Sequence, residues 1–481
     1  MLLDHLNYNL VAIVIAFSTL AILVDYGRML LLRRKLPPGP FPFPIVGNHY
    51  QITKDRPWIQ FAEWADYYDN PLTTIWVGRE PRIIVQDAWV ASDLLEKRAD
   101  IFSSRPRLVV MGDVIDSTTT NQTTLVYGDR WRMHRKLMTN DEIAQLALAV
   151  MEAVNYVVPG YFLMEAVPIL SKLPSFIYSV PSEIRKSATV FAQYFYLLTQ
   201  EGAEKKVPTF AATLLKAQPE LHLSDKEVTT MAVNLIGGGV DTTSSTMLSF
   251  ILAMAYFPDV QKKLQAELDD VVGRDRSPSW EDVDKKLPYL IATVKEVLRW
   301  RTVTILAGIP HANIVPYDYK GYHIPAGTNI TGNMWAIHRN PREYPEPDVV
   351  RPERFLNKLE QPYPNQRGSN PFGWGRRQCS GQPLAEQGLY YSLGRLAWAF
   401  NIRPGLDENG KEIKLDIFAY TNTENMRPEP FKVRFTPRSP KIKDLVESEA
   451  NVAREALRIY DCETKVTIND ALQSVRDGRA T

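Results

Sequence analysis

The chain has 481 residues, 45% hydrophobic and 23% charged, which is ordinary globular composition with length enough for one large core or two smaller ones. Fifty-six Lys+Arg against 55 Asp+Glu leave a net charge of +1; with no zinc-finger spacing and no long basic run, this argues against nucleic acid as a partner. The two cysteines, Cys379 and Cys462, are too few for a disulfide scaffold or a Cys-rich zinc site and suit a body that folds in a reducing compartment.

The first element is an uncharged apolar run, Leu10 to Val24. At about 1.5 Å per residue, its length in a helix is ~22 Å, short of a ~30 Å hydrocarbon core. Adding Met29 to Leu32 supplies the rest and takes in Asp25 and Arg28 near the interface, where their penalty is small. Arg33-Arg34-Lys35 follow as a cytoplasmic stop. A cleaved signal peptide would carry its positive charge before the run, and here only Asp4 and His5 precede it. The expected organisation is a membrane anchor and basic stop over 1–35, a stiff Pro-rich linker over 36–44, one catalytic body over 45–440 and a charged tail over 441–481.

Leu72 to Val77 and Arg82 to Val85 predict a hairpin around Gly78-Arg79-Glu80-Pro81. The rest is mainly helical. Ser224-Asp225-Lys226-Glu227 caps a long helix running to Met254. Its Gly237-Gly238-Gly239 costs about 1 kcal/mol per residue against alanine, which calls for the close approach of something large. Val260 to Val272, Tyr289 to Trp300 and Leu384 to Phe400 predict further helices, Gly321 to Thr328 a strand and turn, and Leu445 to Tyr460 an amphipathic surface stretch.

The strongest chemical signal is Phe372-Gly-Trp-Gly-Arg-Arg-Gln-Cys-Ser-Gly381. Cys379 leads into a helix, with Arg377 two residues before it, where positive potential favours a thiolate. The glycines let the backbone turn sharply beside a flat ligand. A thiolate opposite bound oxygen pushes electron density onto an iron and favours O–O cleavage.

With these residues the chain resembles the cytochrome P450 family, over nearly its whole length. The resemblance implies a mainly α fold with small β-sheets behind an N-terminal transmembrane helix. It implies haem b (iron protoporphyrin) with Cys379 as its axial ligand and Phe372, Gly375, Arg377 and Gly381 around it. Asp241 and Thr242, after the glycine run, resemble an acid–alcohol pair that relays protons to bound dioxygen. Trp131, Arg135 and His311, with Arg377, match the contacts to the haem propionates. Glu296, Arg299 and Arg354 match a structural network. Arg130, Arg132 and Lys136 could form a basic patch for an acidic redox partner, or simply a solvated face.

The implied reaction is hydroxylation or epoxidation of a small apolar or phenolic molecule, in the manner of fungal secondary metabolism. Electrons would come from NADPH-cytochrome P450 reductase, with cytochrome b5 as a second donor, at the cytosolic face of the endoplasmic reticulum membrane. Ser380 departs tolerably from the family pattern. The interval from Trp131 to Asp241, 110 positions, departs more seriously, because it lacks the length of two helices that should cover the long helix. Uncovering several hundred Å² at ~25 cal/mol per Å² rivals a domain's total stability. Two alternatives therefore stay open: an oxygen-independent isomerase or dehydratase, and an inactive truncated relic or mispredicted splice form.

Overall fold

The computed structural model describes residues 2–138, 158–204, 209–356, 358–460 and 465–479. Helix α1 spans Leu2–Arg33, and its part from Val11 is long and apolar enough to cross a membrane. Its last turns belong to that stretch and also touch the body. Met29 is buried, Tyr26 and Leu32 pack with it against the sheet, and Asp25 pairs with Arg79 at 3.0 Å. An apolar face on the body takes Met29, at the C-terminal end of the candidate span.

The Pro-rich segment packs against the body. The Thr74 amide donates to the Pro38 carbonyl at 2.9 Å, and a Cβ on Gly39 would collide with the Thr74 carbonyl. Beyond α2 (Pro57–Tyr67), β1 (Leu72–Val77) and β2 (Glu80–Val85) pair antiparallel with Val77 opposite Glu80. The turn is therefore only Gly78-Arg79, shorter than expected, with Gly78 left-handed at φ +61°. Pro81 lies inside the second strand. β2 runs parallel to β6 (Asn329–Gly332), which pairs with β3 (His311–Ala312), giving the order β1-β2-β6-β3. Two small hairpins complete the strands, β4 (Tyr317–Tyr319) with β5 (Tyr322–Ile324) and β7 (Phe400–Pro404) with β8 (Val433–Pro437).

Short helices α3 (Ala88–Ala91) and α4 (Ala99–Phe102) lead to α5 (Asp129–Met138). Residues 139–157, in the interval that the sequence marks as short, lie outside the described residues. After α6 (Leu163–Ala166), helices α7 (Val180–Ala203) and α8 (Phe210–Leu221) pack on the long α9 (Asp225–Tyr256). Phe210, Leu214, Val228 and Met231 are buried between them, so the first turns of α9 do have cover. The Ser224–Glu227 capping box forms as the sequence predicts.

The main core lies where the last turns of α9 meet α10 (Pro258–Val271), α12 (Pro288–Trp300) and α14 (Gln382–Ala399), with α11 (Trp280–Lys286) at its margin. Helix α13 (Met334–Ile337) closes the sheet against α2. The tail forms α15 (Pro440–Leu457) and α16 (Ile468–Arg476). The latter was not expected: it packs on α7, with Ala471 buried and Gln193 Nε2 donating to Ser474 Oγ at 3.0 Å.

Candidate active site

The Cys379 loop is shaped by its own backbone. The Cys379 amide donates to the Phe372 carbonyl at 2.9 Å and the Gln378 amide to Gly375 at 3.1 Å, which leaves the thiol exposed just before α14 begins. Gly375 is left-handed, and a Cβ on it would collide with the Leu95 carbonyl. Its glycine thus permits a close backbone crossing. Gly381, the N-cap of α14, lies beside the sulfur: a Cβ there would sit 3.9 Å from Cys379 Sγ.

Behind the loop stands a buried ionic network. Arg299 donates from Nε and from a terminal nitrogen to the two Glu296 oxygens at 2.7 Å, and Arg354 Nε donates to Glu296 Oε1 at 3.3 Å. Arg299 also donates to the His338 carbonyl at 2.8 Å. The His338 ring is fully buried, and burial, with Arg299 nearby, lowers its pKa to about 3. Its Nε2 accepts the Asn370 amide at 3.0 Å, so Nδ1 carries the proton toward Thr302 Oγ1, 2.6 Å away. His338 thereby joins the Glu296 network to the start of the cysteine loop.

Three of the four residues read as propionate contacts come together. The Arg377 guanidinium lies over the Trp131 ring at 4.5 Å. Arg377 donates to the carbonyls of Ser103 and Leu125 at 2.8 and 2.6 Å. His311 is buried and its Nδ1 donates to the Phe102 carbonyl at 2.8 Å. Burial, then the neighbouring Arg105 and Arg377, lowers the His311 pKa to about 3. Arg135 lies one turn beyond Trp131 in α5, but its side chain falls outside the described residues.

Arg105 carries no signal in the sequence that marks it for this cluster. It donates to the carbonyls of Thr123, Ile309 and Pro310, and burial beside Arg377 holds its pKa well below the usual guanidinium range. Two neighbouring guanidiniums beside a buried imidazole make a cationic, donor-rich cluster, which fits the propionates of a haem.

Asp241 and Thr242 stand on α9, which packs on α14. Thr242 Oγ1 donates back to the Gly238 carbonyl at 2.5 Å, and Asp241 is buried with Arg427 3.7 Å from its carboxylate. Gly238 and Gly239 are exposed, and a Cβ on either would meet open space. The glycine run therefore leaves room above the helix, as a large flat ligand and its oxygen require. The suggested basic patch is partly cancelled: Arg130 forms an ion pair with Glu227 of the α9 cap, and Arg132 with Asp129, while the Lys136 side chain lies outside the described residues.

Comparison with known proteins shows the family of the chain. The family model described as Cytochrome P450 matches residues 37–159 and 149–425, and the match breaks in two inside the short interval. Cytochrome P450 monooxygenase 58 of Postia placenta is 31% identical over 493 positions, covering 88% of this chain and 92% of that protein. Tryptamine 4-monooxygenase of Psilocybe cyanescens is 31% identical over 85% of this chain and 94% of its own length. Cytochrome P450 monooxygenase claR of Ampulloclitocybe clavipes is 30% identical over 87% and 90%. An alignment of 493 positions on 88% of a 481-residue chain carries gaps on this side, in keeping with a shortened interval.

Proposed function

We propose a function from one premise: the chain belongs to the cytochrome P450 family, and it is a monooxygenase, an oxidoreductase that works with a haem–thiolate, a redox partner and a small-molecule substrate. The finer reading is that it hydroxylates or epoxidises a small apolar or phenolic molecule in fungal-type secondary metabolism. A relative named for tryptamine favours a compact aromatic substrate. The cofactor is haem b, and NADPH-cytochrome P450 reductase supplies electrons, with cytochrome b5 as a second donor. Helix α1 holds the protein as a single-pass anchor in the endoplasmic reticulum membrane, with the body cytosolic.

The observation that carries this reading is the exposed Cys379 thiol on a loop braced by its own amides, beside the cluster of Arg105, His311 and Arg377. Bound there, the haem supplies the activation of dioxygen. Cys379 would hold the haem iron through its thiolate and supply it with electron density. Trp131, Arg135, His311 and Arg377, with Arg105 behind them, hold the propionates. Phe372, Gly375 and Gly381 shape the loop. Thr242, whose hydroxyl hydrogen is donated to the Gly238 carbonyl, keeps its lone pairs to accept a hydrogen bond and so hold a water in place, and the Asp241 carboxyl passes a proton from solvent to that water and takes up another in turn. Glu296, Arg299 and Arg354 brace the loop from behind and touch no reacting atom.

A carbon monoxide difference spectrum of the reduced, purified protein tests the reading. A thiolate-type Soret band that disappears in Cys379→Ala is the expected result. A wild-type protein without that band overturns it, and favours the second reading drawn from the broken family match, a chain too short to hold its haem.

A further inference from the structure

Residues 419–429 form a tongue that folds back on itself: the Thr421 amide donates to the Arg427 carbonyl and the Glu429 amide to Ala419, both at 2.9 Å. Its neighbours fasten it on three sides. Tyr420 Oη donates to Ser249 Oγ of α9 at 3.1 Å. The buried Glu424 carboxyl accepts the amides of Leu306 and Gly308 at 3.1 and 2.9 Å, and burial pushes its pKa up to about 8. Asn422 accepts the Arg56 amide at 2.7 Å and donates to the Lys54 carbonyl at 2.9 Å. From this fixed frame the Arg427 side chain, about half exposed (52%), reaches the buried Asp241 (7%) at 3.7 Å.

We propose that Arg427 is the positioning residue for proton delivery, holding the Asp241 carboxylate toward the solvent rim between the tongue and α9. This rests on the reading of Asp241 as the proton-relay acid. A buried carboxylate next to an open glycine run needs something to fix its direction, and Arg427 is the cation paired with it among the described residues. The separation is longer than a charged hydrogen bond, so the pair orients the carboxylate without locking it. Water reaches the exposed guanidinium, so the same pair marks where protons enter. A bidentate clamp would oppose the rotation that a relay needs. Because the tongue is fixed by Tyr420, Asn422 and Glu424 rather than by Arg427, loss of the arginine should leave the fold in place.

The test needs no knowledge of the natural substrate. The holoenzyme, reconstituted with an NADPH-dependent flavoprotein reductase, reduces dioxygen to hydrogen peroxide without organic substrate: dioxygen takes two electrons from NADPH and two protons, the nicotinamide leaving oxidised. In Arg427→Ala we expect this turnover to fall about tenfold, with a larger solvent isotope effect in heavy water and an unchanged carbon monoxide band. Arg427→Lys should recover most of the rate, and Arg427→Gln should not. Asp241→Asn should be slow, and adding Arg427→Ala to it should change nothing more, because both act through one carboxylate. In the resting enzyme, hydrogen exchange at 238–243 should quicken in Arg427→Ala and not in Arg427→Lys. Wild-type turnover and isotope effect in Arg427→Ala, or losses that multiply in the double variant, overturn the role of Arg427 alone. A normal rate in Asp241→Asn, or a wild type without a thiolate band, overturns the underlying reading and this role with it.

Discussion

Around Cys379 the chain is tied at every turn, whereas the stretch of α9 that carries Asp241 is left loose. On the cysteine side, the amides of Gly373, Gln378 and Cys379 all close short loops, Arg377 spans to Ser103 and Leu125, and Asn370 leans on His338. The Glu296 network stands directly behind. On the α9 side, Gly238 and Gly239 face open space, the Thr242 hydroxyl bonds back along its own helix, and Asp241 has a distant partner. The difference suits the two tasks. In the proposed roles, a single metal ligand has to be held in one place by preorganised neighbours, while protons, water and substrate have to come and go.

The comparison breaks if stability does not depend mostly on the tied side. Glu296→Ala leaves two buried guanidiniums without their shared carboxylate and should cost about 3–5 kcal/mol in thermal or chemical denaturation. Acid should act next. His311 and His338 are held neutral in the fold with pKa values of about 3, against 6.5 for a free imidazole, so the unfolded chain binds more protons between those values. Stability is then complete above pH 6.5 and falls through the window toward pH 3, and His338→Gln should flatten that slope. Gly375→Ala, strained by its left-handed backbone and driven into the Leu95 carbonyl, should cost roughly 1–3 kcal/mol and blunt the thiolate band. The smallest effect belongs to the loose side. Gly238→Ala should stabilise the helix by about 1 kcal/mol while lowering turnover, because the methyl fills the space the helix keeps open. If Gly238→Ala destabilises as much as Gly375→Ala, the contrast is wrong.

Legibility in the sequence divides along the same line. The cysteine motif, the Ser224 cap and the Glu296–Arg299 pair are local patterns, legible because the residues that act together sit within ten positions of one another. Arg354 was paired with them by resemblance alone. Arg105, His338 and Arg427 were missed because each meets its partners across a long stretch of chain: Arg105 lies 272 positions from Arg377 and Arg427 lies 186 from Asp241. A lone arginine or histidine in a sequence looks like any surface residue until the fold buries it. The contacts that Met29 and the prolines after it make with the body were not legible for a related reason. Composition marks a segment as apolar or stiff, but only packing shows whether lipid or the protein receives it.

That packing bears on how the protein can be handled. β1 is the outer strand of its sheet, and all six of its residues are buried. The chain on its far side is the Pro-rich segment with the turns after it: Pro38 takes the Thr74 amide, and Asn48 exchanges bonds with Trp76. These residues act as a guard rail over a strand edge that would otherwise invite other chains to add to it. A version freed from most of its membrane helix by trimming should therefore keep everything from Asp25 onward. Trimmed to residue 50 instead, it would lose its guard and tend to clump, however well its haem pocket was made.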